Sequence, residues 1–144
     1  MDTDDGFEIG TFLPYLLNQA GEAAGQEFQR YYKDRYGMLR SEWRVLFHLG
    51  RFGDLTARQI CDRARLHKTK TSRAVAALER RRFLKRAVMA HDRRQEQLSL
   101  TAAGQAAYKD LAGIAAAFDA RLMAQFSAQE QATLRACLQR LMAR

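Results

Sequence analysis

The chain has 144 residues, with 24 Lys and Arg against 16 Asp and Glu and a formal net charge of +8. That length predicts a single domain over residues 1–144, and 47% hydrophobic residues are enough to pack a core, which excludes global disorder. One proline, nine glycines and two distant cysteines, Cys61 and Cys137, exclude low-complexity chains, disulfide frameworks and zinc modules, and suit a reducing cytoplasm.

The opening MDTDDGFEIG places four acids in eight residues, the reverse of a secretory leader's basic start. The longest uncharged run, residues 9–21, contains Pro14 and is too short to span a bilayer, so no membrane partner is expected. Ile9 to Tyr36 reads as one long helix, because Leu13, Leu16, Leu17, Ala20, Ala24, Phe28 and Tyr31 recur at three- and four-residue spacing. Gly37 is placed to end it in a left-handed turn. Ser41 is the N-cap candidate of a second helix, with Val45, Leu46 and Leu49 inward and a stop between Gly50 and Gly53. Thr56-Ala57-Arg58-Gln59 is a capping box that opens a short third helix through Ile60 and Ala64. A fourth helix is predicted from Lys68 to Arg82.

Leu84–Met89 and Gln95–Leu100 read as two strands joined by the turn Ala90-His91-Asp92-Arg93-Arg94. Thr101 caps a long fifth helix with Tyr108, Leu111, Ala115, Phe118 and Leu122 in a near-heptad stripe. Ser127-Ala128-Gln129-Glu130 is a second capping box, opening a last helix with Leu134, Cys137, Leu138 and Leu141 inward. The fold class is therefore mainly α with a small β-hairpin. The long terminal helices carry more apolar stripe than the small centre can cover, and burying it calls for a second copy of the chain or for packing on each other.

Charge is concentrated. Residues 63–94 hold twelve Lys and Arg and two acids; the other residues hold twelve and fourteen. A solvated face would explain such a run, and so would a surface built for phosphates. The third and fourth helices are joined only by about Arg65-Leu66, the arrangement of a helix-turn-helix, although an ordinary helical hairpin has the same length. On the fourth helix, Lys68, Thr69, Lys70, Ser72, Arg73 and Ala76 lie opposite the Ala74, Val75 and Leu78 face. This puts donors for guanine edges and phosphates at its N-terminal end. Arg93 and Arg94 on a hairpin turn could enter a minor groove, with Asp92 holding Arg94 by a charge-assisted bond.

Asp92 to Gly104 resembles the wing signature of the MarR family, D-x-R-x5-L-T-x2-G. Ser41 to Leu46 is similar to that family's second helix, and Ser72 to Glu79 to its recognition helix. The chain departs from the pattern at Arg82, where the family usually has glycine. The resemblance implies a winged helix-turn-helix lobe over 38–100, with 8–36 and 101–144 as dimerisation helices. It also implies a homodimer on a pseudo-palindromic double-stranded DNA operator, acting as a repressor. Ser72, Arg73, Asp92 and Arg94 carry over to the DNA-binding surface. Phe12, Leu13, Leu16 and Leu17, with Leu134, Leu138 and Leu141, carry over to the dimer contact.

Members of that family often hold a small aromatic or phenolic carboxylate between the dimer helices and the DNA-binding lobe. Tyr15, Arg40, Trp43, Arg44 and His48 are the candidates here, although Trp43 and His48 are more often core residues than ligand contacts. The family's oxidant sensors use a cysteine near the N-terminal end, which is missing. Cys61 and Cys137 are expected to be buried, with Arg58, Arg63 and Arg65 leaving redox sensing by Cys61 open. His48, His67 and His91 are scattered and no P-loop, GxSxG or HExxH occurs, so no enzyme, cofactor or metal site is expected. The competing reading is a non-sequence-specific architectural nucleic-acid binder. Within 63–94 only Phe83 is aromatic, which serves single-strand stacking poorly.

Overall fold

The computed structural model describes residues 6–143. Its element order is α1 (Leu13–Tyr36), α2 (Arg40–Phe52), β1 (Leu55–Thr56), α3 (Ala57–Ala64), α4 (Lys68–Arg80), β2 (Leu84–Met89), β3 (Asp92–Leu100), α5 (Ala102–Met123) and α6 (Ala128–Met142). No helix among the described residues is long and apolar enough to cross a membrane.

Local chemistry sets most of these boundaries. The capping boxes at Thr56 and Ser127 form as their sequences require: Thr56 Oγ1 accepts from the Gln59 N–H at 3.2 Å, and Ser127 Oγ from the Glu130 N–H at 3.1 Å. Gly37 ends α1 at φ +64, and its N–H donates to the Lys33 carbonyl at 2.8 Å. The long first helix is divided. Ile9–Thr11 form a 3-10 turn and Phe12 is extended, because Pro14 lies in the first turn of α1, where its missing N–H costs least. The second helix begins at Arg40 rather than after a Ser41 cap. Glu42 Oε2 accepts the Leu39 N–H at 2.8 Å, which fixes Leu39 as the N-cap.

The sheet order is β1-β3-β2, all antiparallel, with Leu55 opposite Leu98 and Leu84 opposite Leu100. β1 is a two-residue strand, too short for a periodicity to show. The core gathers Val45, Leu46 and Leu49 of α2, Ile60 of α3, Val75 and Leu78 of α4, Leu84 and Leu98 of the sheet and Leu111 of α5. Met38 and Tyr32 join it at the α1–α2 corner. Gly50 lets α5 approach α2: a Cβ there would lie 2.6 Å from Tyr108 Cδ2.

α6 buries none of its residues within the chain, and Phe12, Leu13, Leu16, Leu17 and Leu134 are 39–49% exposed. Cys137 is exposed and Cys61 half-buried, so neither is the enclosed thiol expected from its helical position. The inward face assigned to α6 has no core of its own chain to meet.

Candidate nucleic-acid interface

α4 is positioned from both ends. At its start, His67 Nδ1 accepts the Thr69 N–H at 3.3 Å, and Thr71 Oγ1 donates to the His67 carbonyl at 3.1 Å. Thr71, Ala74, Val75 and Leu78 are buried against the core. The turn before it passes through Arg65 in the left-handed region, at φ 52, and then through buried Leu66. At its far end, Arg81 donates to the Gly37 carbonyl at 2.7 Å and to the Tyr36 carbonyl. Arg81 also sits 3.5 Å from the buried Glu42 carboxylate. The helix end is thereby tied to the α1–α2 corner.

The opposite face is open. Lys68, Thr69, Lys70, Ser72 and Arg73 are all exposed. Among the described residues none of Lys68, Lys70 and Arg73 forms an ion pair. Cations left without carboxylate partners on one face of an exposed helix are free to meet phosphates or base edges.

The wing differs from its expected form. The turn is only Ala90-His91, and β3 starts at Asp92. Val88 pairs with Glu96 but Met89 pairs with Asp92, so Arg93, Arg94 and Gln95 bulge out of register. Asp92 Oδ1 accepts the backbone N–H of Arg94 at 3.0 Å, not its guanidinium. The two arginines therefore ride on a bulge of β3 rather than on the hairpin turn, and Asp92 fixes the backbone that carries them. Arg86 is spent structurally, bridging Glu79 of α4 and Glu96 of β3 at 3.2 Å each.

The rest of the wing signature also has a physical reason. Thr101 Oγ1 accepts the Gly104 N–H at 3.1 Å and donates to the Arg82 carbonyl at 2.6 Å. A Cβ at Gly104 would lie 2.9 Å from the Phe83 carbonyl carbon and overlap its oxygen. Arg82, standing where glycine is usual, takes φ 63 and so accepts left-handed strain.

The structure adds Arg58 and Arg80 to the basic face. Arg58 lines a groove with Arg94 and Thr56, and Arg80 a groove with Arg73 and Ser41. Both are visible as charges in the sequence, but only the packing of α3 against the sheet brings Arg58 beside the wing, and only the packing of α2 against α4 closes the groove that Arg80 lines.

The remaining candidates divide between two clefts. Arg40, Trp43 and Arg44 line a cleft of about 360 Å³ with Phe28 and Tyr32 of α1. Arg40 Nη1 donates to Glu22 at 2.8 Å, while its Nη2 is buried without a partner. Burial lowers the Arg44 pKa from its ordinary value, and nearby Arg40 adds to this. Tyr15 is 41% exposed and does not line this cleft. His48 is buried on the other side of Arg44, its Nδ1–H donating to the Arg44 carbonyl at 2.6 Å. Among the described residues no group of three His, Cys, Asp or Glu side chains could hold a metal ion.

Comparison with known proteins agrees with this geometry. A family model described as MarR family matches residues 36–95. Against curated proteins the sequence alone finds no match. Three solved structures are similar over nearly the whole chain. A transcriptional regulator designated PA4135 is 27% identical, with TM-score 0.82 over 91% of this chain and 96% of its own. MepR of S. aureus, solved with DNA, is 21% identical, with TM-score 0.78 over 90% and 96%. BpsR of Bordetella bronchiseptica, whose DNA binding is regulated by 6-hydroxynicotinic acid, is 17% identical, with TM-score 0.83 over 94% and 96%. Residues 36–95 thus match the MarR family model, and over nearly its whole length the chain shares the fold of these solved structures.

Proposed function

We propose that the protein is a homodimeric, sequence-specific repressor that binds a pseudo-palindromic duplex operator and is released by a small anionic aromatic effector. The observation that carries the reading is the division of labour on α4. Its buried face and C-terminal end are locked into the fold, while among the described residues Lys68, Lys70 and Arg73 near its start form no ion pair. Lys68, Thr69, Lys70, Ser72 and Arg73 read or flank the major groove, and Arg93 and Arg94 reach the adjacent minor groove from the wing bulge. The MepR complex with DNA supports this use of the shared fold. The protein is a binder rather than a catalyst.

The dimer is proposed from the uncovered apolar residues. Phe12, Leu13, Leu16 and Leu17 of one copy pack with Leu134, Leu138 and Leu141 of the other, which supplies the core that α6 lacks. The effector is proposed in the α1–α2 cleft, where the Arg40 guanidinium would hold a carboxylate and Trp43 would face the ring. BpsR supports a ligand of that class, since 6-hydroxynicotinic acid is an aromatic carboxylate.

The test is a selection of genomic fragments by the purified protein at physiological salt, read by sequencing. An enriched inverted repeat with half-sites about one helical turn apart supports the reading. Binding without an enriched motif, fading uniformly as salt rises, would replace it with an architectural role.

A further inference from the structure

On the other side of α2 lies a cleft of about 550 Å³, between α2, the end of α3 and the end of α6. Its rim carries four guanidinium groups. Arg63 stacks over the Phe52 ring at 4.5 Å and Arg51 approaches the same ring at 5.2 Å. Arg44 and Arg65 spend donors on backbone carbonyls, those of Ala64 and Met142. Among the described residues none of the four forms an ion pair. A cleft that concentrates this much unbalanced positive charge around an apolar floor is built for an anion with apolar neighbours.

The described carboxylates that form ion pairs are committed elsewhere: Glu22 to Arg40, Glu42 to Arg81, Glu79 and Glu96 to Arg86, Asp110 to Arg35 and Asp119 to Arg135. The densest run of acid in the sequence is its opening, with Asp2, Asp4, Asp5 and Glu8 around Phe7. Phe7 and Ile9 are 63% and 51% exposed. We propose that the acidic N-terminal segment of one copy docks into the arginine cleft of its partner, with Phe7 against the Phe52 and Met142 floor. The inference rests on the homodimer proposed above. Continuity with that interface argues for a second copy as the occupant. Met142, which closes the cleft and is 68% exposed, lies one residue beyond Leu141 on the same uncovered helix.

The test begins with light scattering of the full chain and then uses two readouts. In a Cys61→Ala, Cys137→Ser background, Phe7→Cys chains are mixed with Arg51→Cys chains and oxidised. A disulfide-linked species of twice the chain mass is expected. In the second readout, Asp4→Lys with Asp5→Lys, or Arg51→Glu with Arg63→Glu, should each weaken dimerisation by roughly tenfold, and the combined charge swap should restore it. Wild-type dimers that give no cross-link and no change on charge reversal would overturn this docking while leaving the dimer standing. A monomeric wild type would overturn both. A bond formed only within a single chain carrying Phe7→Cys and Arg51→Cys would assign the cleft to the chain's own segment. Unchanged dimerisation with saturable benzoate binding that needs Arg51 and Arg63 would make it a small-molecule site. Either result would overturn the proposal.

Discussion

Two glycines on α5 should respond in opposite directions to the same substitution. Gly113 has no heavy atom within 4 Å of where a Cβ would stand. Ala is favoured over Gly inside a helix by about 0.8–1.0 kcal/mol, so Gly113→Ala should raise the melting temperature by about 2–3 °C for a chain this size. Gly104 enjoys the same intrinsic gain, but its Cβ would overlap the Phe83 carbonyl oxygen and stand 3.2 Å from Phe83 Cα. That obstacle is backbone, not a flexible side-chain tip. Relief needs α5 or the start of β2 to move by about an ångström, an overpacking cost of about 1–3 kcal/mol or more. The shift would also strain the 3.1 Å bond from the Thr101 N–H to the Phe83 carbonyl, worth about 1 kcal/mol. The cost exceeds the propensity gain, and the net loss is about 1–3 kcal/mol. Gly104→Ala should therefore melt about 3–9 °C lower than the parent at equal protein concentration, followed by circular dichroism. A Gly104→Ala protein melting at or above the parent would refute the close approach of α5 to the wing.

Arg73→Ala and Arg94→Ala should each weaken operator binding about 5- to 100-fold and make the log–log salt slope shallower, without changing the melting temperature. Unchanged affinity for both, by fluorescence anisotropy, would remove them from the interface. Asp92→Ala should release the Arg94 N–H and loosen the bulge, weakening DNA binding while the recognition helix stays folded; loss of helical signal would show a wider structural role. Arg82→Gly should relieve left-handed strain of about 1–2 kcal/mol but return part of it as unfolded-chain entropy, so a gain of up to about 1 kcal/mol is expected in chemical denaturation. Asp110 is held below the ordinary carboxylate range, first by the Tyr36 hydroxyl at 2.6 Å and then by the Arg35 guanidinium. With its folded pKa depressed, its contribution is present above about pH 4 and is lost as pH falls through the folded value. Asp110→Asn should therefore melt below the parent at neutral pH, with the gap closing in acid; a gap independent of pH would refute the linkage.

What was legible in the sequence was local. Side-chain oxygens three residues from an N–H they can accept marked the starts of α3, α5 and α6, and Gly37 marked the end of α1. The hydrophobic period located the core faces of α2 and α4. What was not legible depended on partners distant in the chain. β1 exists only because Leu55 finds Leu98. The wing register slips at Val88 and Met89, and alternation cannot display a bulge whose residues are all polar. The effector candidates were chosen by helix membership, which does not say on which side of α2 each lies. That is why Arg40, Trp43 and Arg44 share a cleft with Tyr32 while His48 belongs beneath the other one.

The same distinction organises the arginines. Twelve Lys and Arg in residues 63–94 look alike as charge, yet the fold sorts them by whether a carboxylate or carbonyl has been placed to meet them. Arg81 and Arg86 are consumed at the C-terminal end of α4, the first on Glu42 and the α1–α2 corner, the second on Glu79 and Glu96. These bonds bind α4 to the end of the long helix α1 on one side and to the wing on the other. Among the described residues Lys68, Lys70, Arg73 and Arg94 meet no carboxylate, and they face solvent. A helix held at both ends, whose exposed N-terminal side chains are not used in that support, can present donors to a groove without rearranging what holds it. The orientation of that helix then follows the α1–α2 corner, because Arg81 holds both. In the proposed reading, a ligand that drew Arg40 away from Glu22 would act at the first residue of α2, so release of DNA would need only a small rotation of α2 against α1.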